Sequence, residues 1–120
     1  MVDSTWNRLS LLLSQGKLNS NNKINFLEVD KNVKLQVLGL GDNELMSINL
    51  DENVNLLELY LDANKLDKID VSKNIALGKL IIRRNNLTSL NVLQNTNLIT
   101  LSCAENSISA ALSQDPFLGV

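Results

Sequence analysis

The side chains able to do covalent chemistry are few. The 120 residues include no histidine, one cysteine (Cys103) and one tyrosine (Tyr60). The absence of histidine removes the usual general base and the commonest metal ligand. Cys103 has no evident base beside it, and it falls where the chain elsewhere carries Leu40, Leu61 and Ile82. A thiol in that place reads as a small buried hydrophobe. A single cysteine forms no internal disulfide and says nothing of the redox compartment. No nucleophile elbow, phosphate-cradling loop or metal-ligand cluster is present. Neither an EF-hand loop nor a glycine-rich nonapeptide repeat marks a calcium site. Catalytic residues, metal ligands and cofactors are all expected to be absent.

What remains is the chemistry of recognition. Glu58, Tyr60, Lys79, Ile81, Arg83 and Arg84 lie in two short stretches that share one spacing: Glu58 to Lys79 is the same interval as Tyr60 to Ile81. Tyrosine and arginine are the types enriched at binding hot spots. Whether these residues meet depends on what sets that interval.

The interval is the period of the chain. The phrase Leu35-x-x-Leu38-x-Leu40-x-x-Asn43 returns as Leu56-x-x-Leu59-x-Leu61-x-x-Asn64. It returns again as Leu77-x-x-Leu80-x-Ile82-x-x-Asn85 and Leu98-x-x-Leu101-x-Cys103-x-x-Asn106. A fixed period of this size means stacked rungs. The second half repeats as well: Leu45, Ile48 and Leu50 are answered by Leu66, Ile69 and Val71, then by Leu87, Leu90 and Val92. A second asparagine column runs through Asn32, Asn53, Asn74 and Asn95.

One domain of three zones plus a tail follows. Residues 1–16 carry Trp6, Leu9, Leu12 and Leu13 at helical spacing, with Asp3 or Ser4 to cap and Gly16 to stop. They are expected to form a helix covering the open end of the stack. Residues 17–34 form a degenerate half repeat: Asn22, Ile24, Leu27, Val29 and Asn32 fit the columns, but Lys17 and Asn19 stand where strand leucines belong. Phe26 is placed to fold against the cap. Residues 35–106 are the regular array. Residues 107–120 decay into an irregular cap or a truncation, with Pro116 breaking the second asparagine column.

Alternation in the strand part turns Leu38 and Leu40 inward and Val37, Gly39 and Gly41 outward. Stacked rungs about 4.8 Å apart then form continuous apolar columns. Roughly six inward residues per rung, at about 1.5–3 kcal/mol each, supply the driving force, and chain entropy consumes much of it. The asparagines Asn43, Asn64, Asn85 and Asn106 stand where the chain leaves the strand. An amide offers two donors and an acceptor, enough to satisfy turn backbone within a rung and across to its neighbour. A rung this short leaves no room for a full helix on the return side. The expected architecture is a mainly β solenoid, with a parallel sheet on the concave face and short extended or 3₁₀ segments on the convex one.

These phrases match the leucine-rich-repeat signature. Return halves such as Leu66-Asp67-Lys68-Ile69-Asp70-Val71-Ser72-Lys73-Asn74 resemble the 21-residue repeats of bacterial surface proteins of the Treponema and Bacteroides type and of internalins. The resemblance covers about residues 22–106. It implies an extracellular or surface-attached protein used in adhesion or recognition, with its partner held on the concave sheet. No signal peptide is visible, because the apolar run at 9–13 is short and lacks a basic start.

The expected function is non-catalytic protein–protein recognition through Glu58, Tyr60, Lys79, Ile81, Arg83 and Arg84. The alternative is a structural spacer or self-association domain within a larger bacterial surface protein. It is favoured by a purely structural use of the same charges: stacking places Glu58 beside Lys79, Asp62 beside Arg83, Arg84 beside Glu105 and Glu44 beside Lys65, as ladder pairs worth about 0.2–1 kcal/mol each. The sequon Asn86-Leu87-Thr88 is a by-product of the repeat. A net charge of −2 and a pI near 5.0 offer no basic footprint for nucleic acid. No apolar run reaches the roughly 18–20 residues that membrane insertion needs. An open stack end would expose apolar surface and is the expected route to a homodimer.

Overall fold

The computed structural model describes Ser10–Leu12 and residues 24–108. Five three-residue strands lie in one parallel sheet in sequence order: β1 (Ser10–Leu12), β2 (Val37–Gly39), β3 (Glu58–Tyr60), β4 (Lys79–Ile81) and β5 (Thr100–Ser102). From β2 to β5 each register step equals the sequence period, with Leu38 opposite Leu59, Leu59 opposite Leu80 and Leu80 opposite Leu101. The hydrogen-bonded ribbon is longer than the strands. It begins where Glu58 N–H donates to Gln36 O at 3.1 Å and continues to Asp42 N–H on Asp62 O at 2.9 Å.

The inward columns form as expected. Leu35, Leu56 and Leu77, then Leu38, Leu59 and Leu80, then Leu40, Leu61 and Ile82 are fully buried, and Leu45, Leu66 and Leu87 join them from the return half. Val29, Leu50, Val71 and Val92 close the core on its far side. At Leu101 and Cys103 burial becomes partial, so the sulfur sits in the right column without being fully enclosed.

The return half holds extended chain punctuated by turns, and no helix occurs among the described residues. Two linked turns recur in each rung: Asn53 N–H donates to Leu50 O and Leu56 N–H to Asn53 O, and the same bonds form at Asn32, Asn74 and Asn95. Turns of this kind fit inside so short a rung, where a helix does not.

The first rung is built differently from the expectation. Its strand is β1, which pairs with Ser10 opposite Val37, so the step to β2 is longer than the repeat period. Residues 10–12, assigned by helical spacing to the cap, therefore pair with the sheet. Unmet N–H and C=O groups along the edge of β2 outweigh a local helical pattern. The rest of the expected cap helix, Lys17, Asn19 and Asn22 of the half repeat, and 109–120 of the tail lie outside the described residues.

Candidate functional site

Two asparagine ladders fix the geometry of the strand face. In the first, Asn64 Nδ2 donates to Leu61 O of its own rung (3.1 Å) and to Leu40 O of the preceding one (2.9 Å). Its Oδ1 accepts Leu45 N–H at 3.0 Å. Asn85 and Asn106 repeat all three bonds, and Asn43 Oδ1 takes Ile24 N–H at 3.1 Å. The amide thus closes its own turn and clamps the rung behind it, as its donor and acceptor count predicts.

The residue before each of these asparagines takes a left-handed backbone: φ is 58° at Asp42, 56° at Ala63, 57° at Arg84 and 60° at Glu105. None is glycine, so the strain is carried by the asparagine bonds that follow. Sequence reading missed this column, because nothing in Asp, Ala, Arg and Glu marks a shared conformation.

The second ladder is less evenly satisfied. Asn53, Asn74 and Asn95 each donate twice to carbonyls of the preceding rung at 2.8–3.0 Å. The buried Oδ1 atoms of Asn32, Asn53, Asn74 and Asn95 have no hydrogen-bond partner, and neither has Asn32 Nδ2 at the start of the ladder. An under-used acceptor is the cheaper of the two failures.

On this frame the candidate residues stand in register: Glu58 opposite Lys79 and Tyr60 opposite Ile81. All four are half-buried. The Tyr60 hydroxyl donates to Glu58 Oε1 at 2.5 Å, and Lys79 Nζ lies 5.4 Å from the centre of the Tyr60 ring. The bond to Glu58 holds the phenol above its ordinary pKa, desolvation adds to this, and Lys79 opposes it. Lys79 therefore serves Tyr60 in place of an ion pair with Glu58. Arg83 turns away from Asp62 and reaches Glu105 at 3.3 Å, where Arg84 also arrives at 3.4 Å. Of the four expected charge pairs only Arg84–Glu105 forms among the described residues. Single ladder pairs between exposed side chains are too weak to dictate geometry. The Asp62 carboxylate instead leans over Gly41, where a Cβ would meet its Oδ1 at 2.8 Å.

Several apolar side chains outside the inward columns are exposed: Phe26, Met46, Val54, Leu57, Ile75, Leu93 and, at 81%, Ile99. Phe26, expected against the cap, is 63% exposed and lines a groove of about 240 Å³ with Ile48 and Asn49. The column of Val33, Val54 and Ile75 was legible as a periodic row of β-branched residues, but its turn position gave no sign of which way it faces. No helix among the described residues is long and apolar enough to cross a membrane.

No family model and no curated protein matches the chain. Solved structures do. The functional domain of InlJ from Listeria monocytogenes, which includes a cysteine ladder, is 26% identical over 73% of this chain with a TM-score of 0.71. A leucine-rich-repeat protein of Leptospira interrogans is 30% identical over 73% of this chain with a TM-score of 0.67. The chain spans only 20% and 24% of the lengths of those two. In this chain the column of Cys103 holds a single sulfur. With its periodic rungs, inward leucine columns and asparagine ladder, the chain is a leucine-rich-repeat protein whose solved neighbours are bacterial members of that family.

Proposed function

We propose that the chain is a non-catalytic protein-recognition module that holds its partner on the strand face. The observation that carries this reading is the pair Tyr60–Ile81. These are a half-buried aromatic and a half-buried aliphatic side chain side by side at the middle of a rigid sheet. Charged groups of both signs surround them. An apolar centre within a polar rim is the anatomy of a recognition surface. Lys79 and Glu58 hold the Tyr60 ring in place, so little side-chain entropy is lost on binding. An extracellular or surface-attached setting, with a role in adhesion, follows from the family resemblance.

The test is a double substitution, Tyr60→Glu with Ile81→Glu. Proteins retained by the immobilised parent are identified, purified and titrated calorimetrically against parent and variant. Loss of binding by a variant that keeps the parent's far-UV circular dichroism is expected. Equal binding by both would move the site off the strand face.

The spacer reading is favoured by one observation. Glu58, Tyr60 and Lys79 satisfy one another within the chain, as do Arg83, Arg84 and Glu105. Under it the double substitution changes nothing in binding.

A further inference from the structure

The strand face is complementary to itself. On β3 and its extension stand Glu58, Tyr60 and Asp62; on β4 and its extension, Lys79, Ile81 and Arg83, level with them in register. One strand thus presents acid–aromatic–acid and its neighbour base–aliphatic–base. No ion pair joins Glu58 to Lys79 or Asp62 to Arg83 within the chain.

We propose that the partner of this face is a second copy of the chain, related by a two-fold axis that runs parallel to the strands between β3 and β4. This rests on the strand-face reading above and names its occupant. Such an axis exchanges β3 with β4. It sets Glu58 over the partner's Lys79, Tyr60 over the partner's Ile81 and Asp62 over the partner's Arg83, each contact made twice. An isologous interface requires that self-complementarity. The other in-plane axis, across the strands, sets Glu58 on Asp62 and Lys79 on Arg83. Like charges reject it, so the pattern specifies one orientation.

Shape agrees with charge. The flanking rungs carry small residues, Gly39 (itself buried) and Gly41 on β2 and its extension and Ser102 and Ala104 on β5 and its extension. No tall side chain there holds Tyr60 and Ile81 of the two copies apart. One unfavourable pairing, Asp42 opposite Glu105, falls at the edge, where Arg84 holds Glu105 even when Arg83 turns to the partner's Asp62. Four short strands give an area at the small end for protein interfaces, so the association is weak and reversible.

The experiment is a charge exchange read by sedimentation equilibrium of the full chain. One variant carries Glu58→Lys and Asp62→Arg, the other Lys79→Glu and Arg83→Glu. Each alone is expected to dimerise at least about tenfold more weakly than the parent, because every cross-interface pair becomes like-charged. Their equimolar mixture restores the parent's affinity, since acid again faces base. Raised salt weakens the parent dimer, and this holds as a readout even if a variant folds poorly. Dimerisation of the separate variants as tight as the parent's would place the contact elsewhere and overturn the inference. A parent that remains monomeric at millimolar concentration overturns it too, and does so without touching the strand-face reading if Tyr60→Glu with Ile81→Glu still abolishes binding of a different protein.

Discussion

The carbonyl of Leu40 accepts two asparagine amides, Asn43 from its own rung at 2.9 Å and Asn64 from the next at 2.9 Å. One oxygen therefore belongs to two repeats. Asn64 adds the reverse link by accepting Leu45 N–H at 3.0 Å. Removing its amide in Asn64→Ala leaves that buried N–H unpaired, while the carbonyls of Leu40 and Leu61 keep the amides of Asn43 and Asn85. At about 1–3 kcal/mol for one orphaned buried group, a loss of about 1–3 kcal/mol is expected. Exposed substitutions such as Lys68→Ala stay within about 0.5 kcal/mol. Urea unfolding midpoints of the two variants decide it, and a midpoint for Asn64→Ala equal to the parent's removes the ladder from the account of stability.

Ala63 holds φ at 56°. A left-handed backbone costs an L-residue about 1–2 kcal/mol, and glycine escapes that cost while giving up about 0.5–1 kcal/mol of chain entropy. Ala63→Gly is therefore expected to be neutral or to stabilise by less than about 1 kcal/mol. Ala63→Val, β-branched and poorly tolerated there, should destabilise clearly. The order Gly ≥ Ala > Val in denaturation midpoints is the check, and the reverse order would show that the turn relaxes.

Asn53 is fully buried and points both amide hydrogens at carbonyls, Val29 O at 2.9 Å and Asn32 O at 3.0 Å. Asn53→Asp places a carboxylate oxygen against them. Burial and facing carbonyls raise the pKa of that carboxyl in the fold. The fold then prefers the protonated acid: below the unfolded pKa of about 3.9 both states are protonated and the ionic penalty vanishes. The penalty grows as pH rises from there to the folded pKa and is complete above it. The gap in melting temperature between variant and parent should widen from pH 4 to pH 7.

Tyr60 is the only tyrosine, so tyrosinate absorbance titrates it alone. Its pKa should lie above the ordinary value near 10, because the hydroxyl donates to Glu58. Glu58→Gln removes the charged acceptor and should bring the midpoint down. The linked stability is fully present below the unfolded pKa and is lost as pH rises through the folded one. A midpoint unmoved by Glu58→Gln would mean that the contact does not persist in solution.

Cys103 is half-buried, and desolvation pushes its thiol above the ordinary range. Its reaction with a disulfide reagent at neutral pH should be slow and should accelerate in urea toward the rate of a free thiol. Equal rates in both conditions would show that the last rung opens freely.

The sequence by itself determined what depends on repetition of residue type. Leucines at a fixed interval can be buried only by stacking. An asparagine at the same interval gives two donors and an acceptor at each turn, and so short a rung excludes a helix. Columns, ladders and register were legible because each is a sum over identical neighbours, which multiplies a weak local preference. Only the tertiary structure decided what happens once per chain or recurs with no shared residue type. It drew β1 from residues 10–12, out of step with the period, because the sheet edge needs partners whatever the local pattern. It gave Ala63 and Arg84 the same left-handed backbone despite their unlike side chains. It also sent Arg83 to Glu105 and Lys79 to the Tyr60 ring, past the carboxylates beside them. Those choices turn on small energy differences between exposed charges, differences that spacing cannot encode and only the arrangement of all neighbours can resolve.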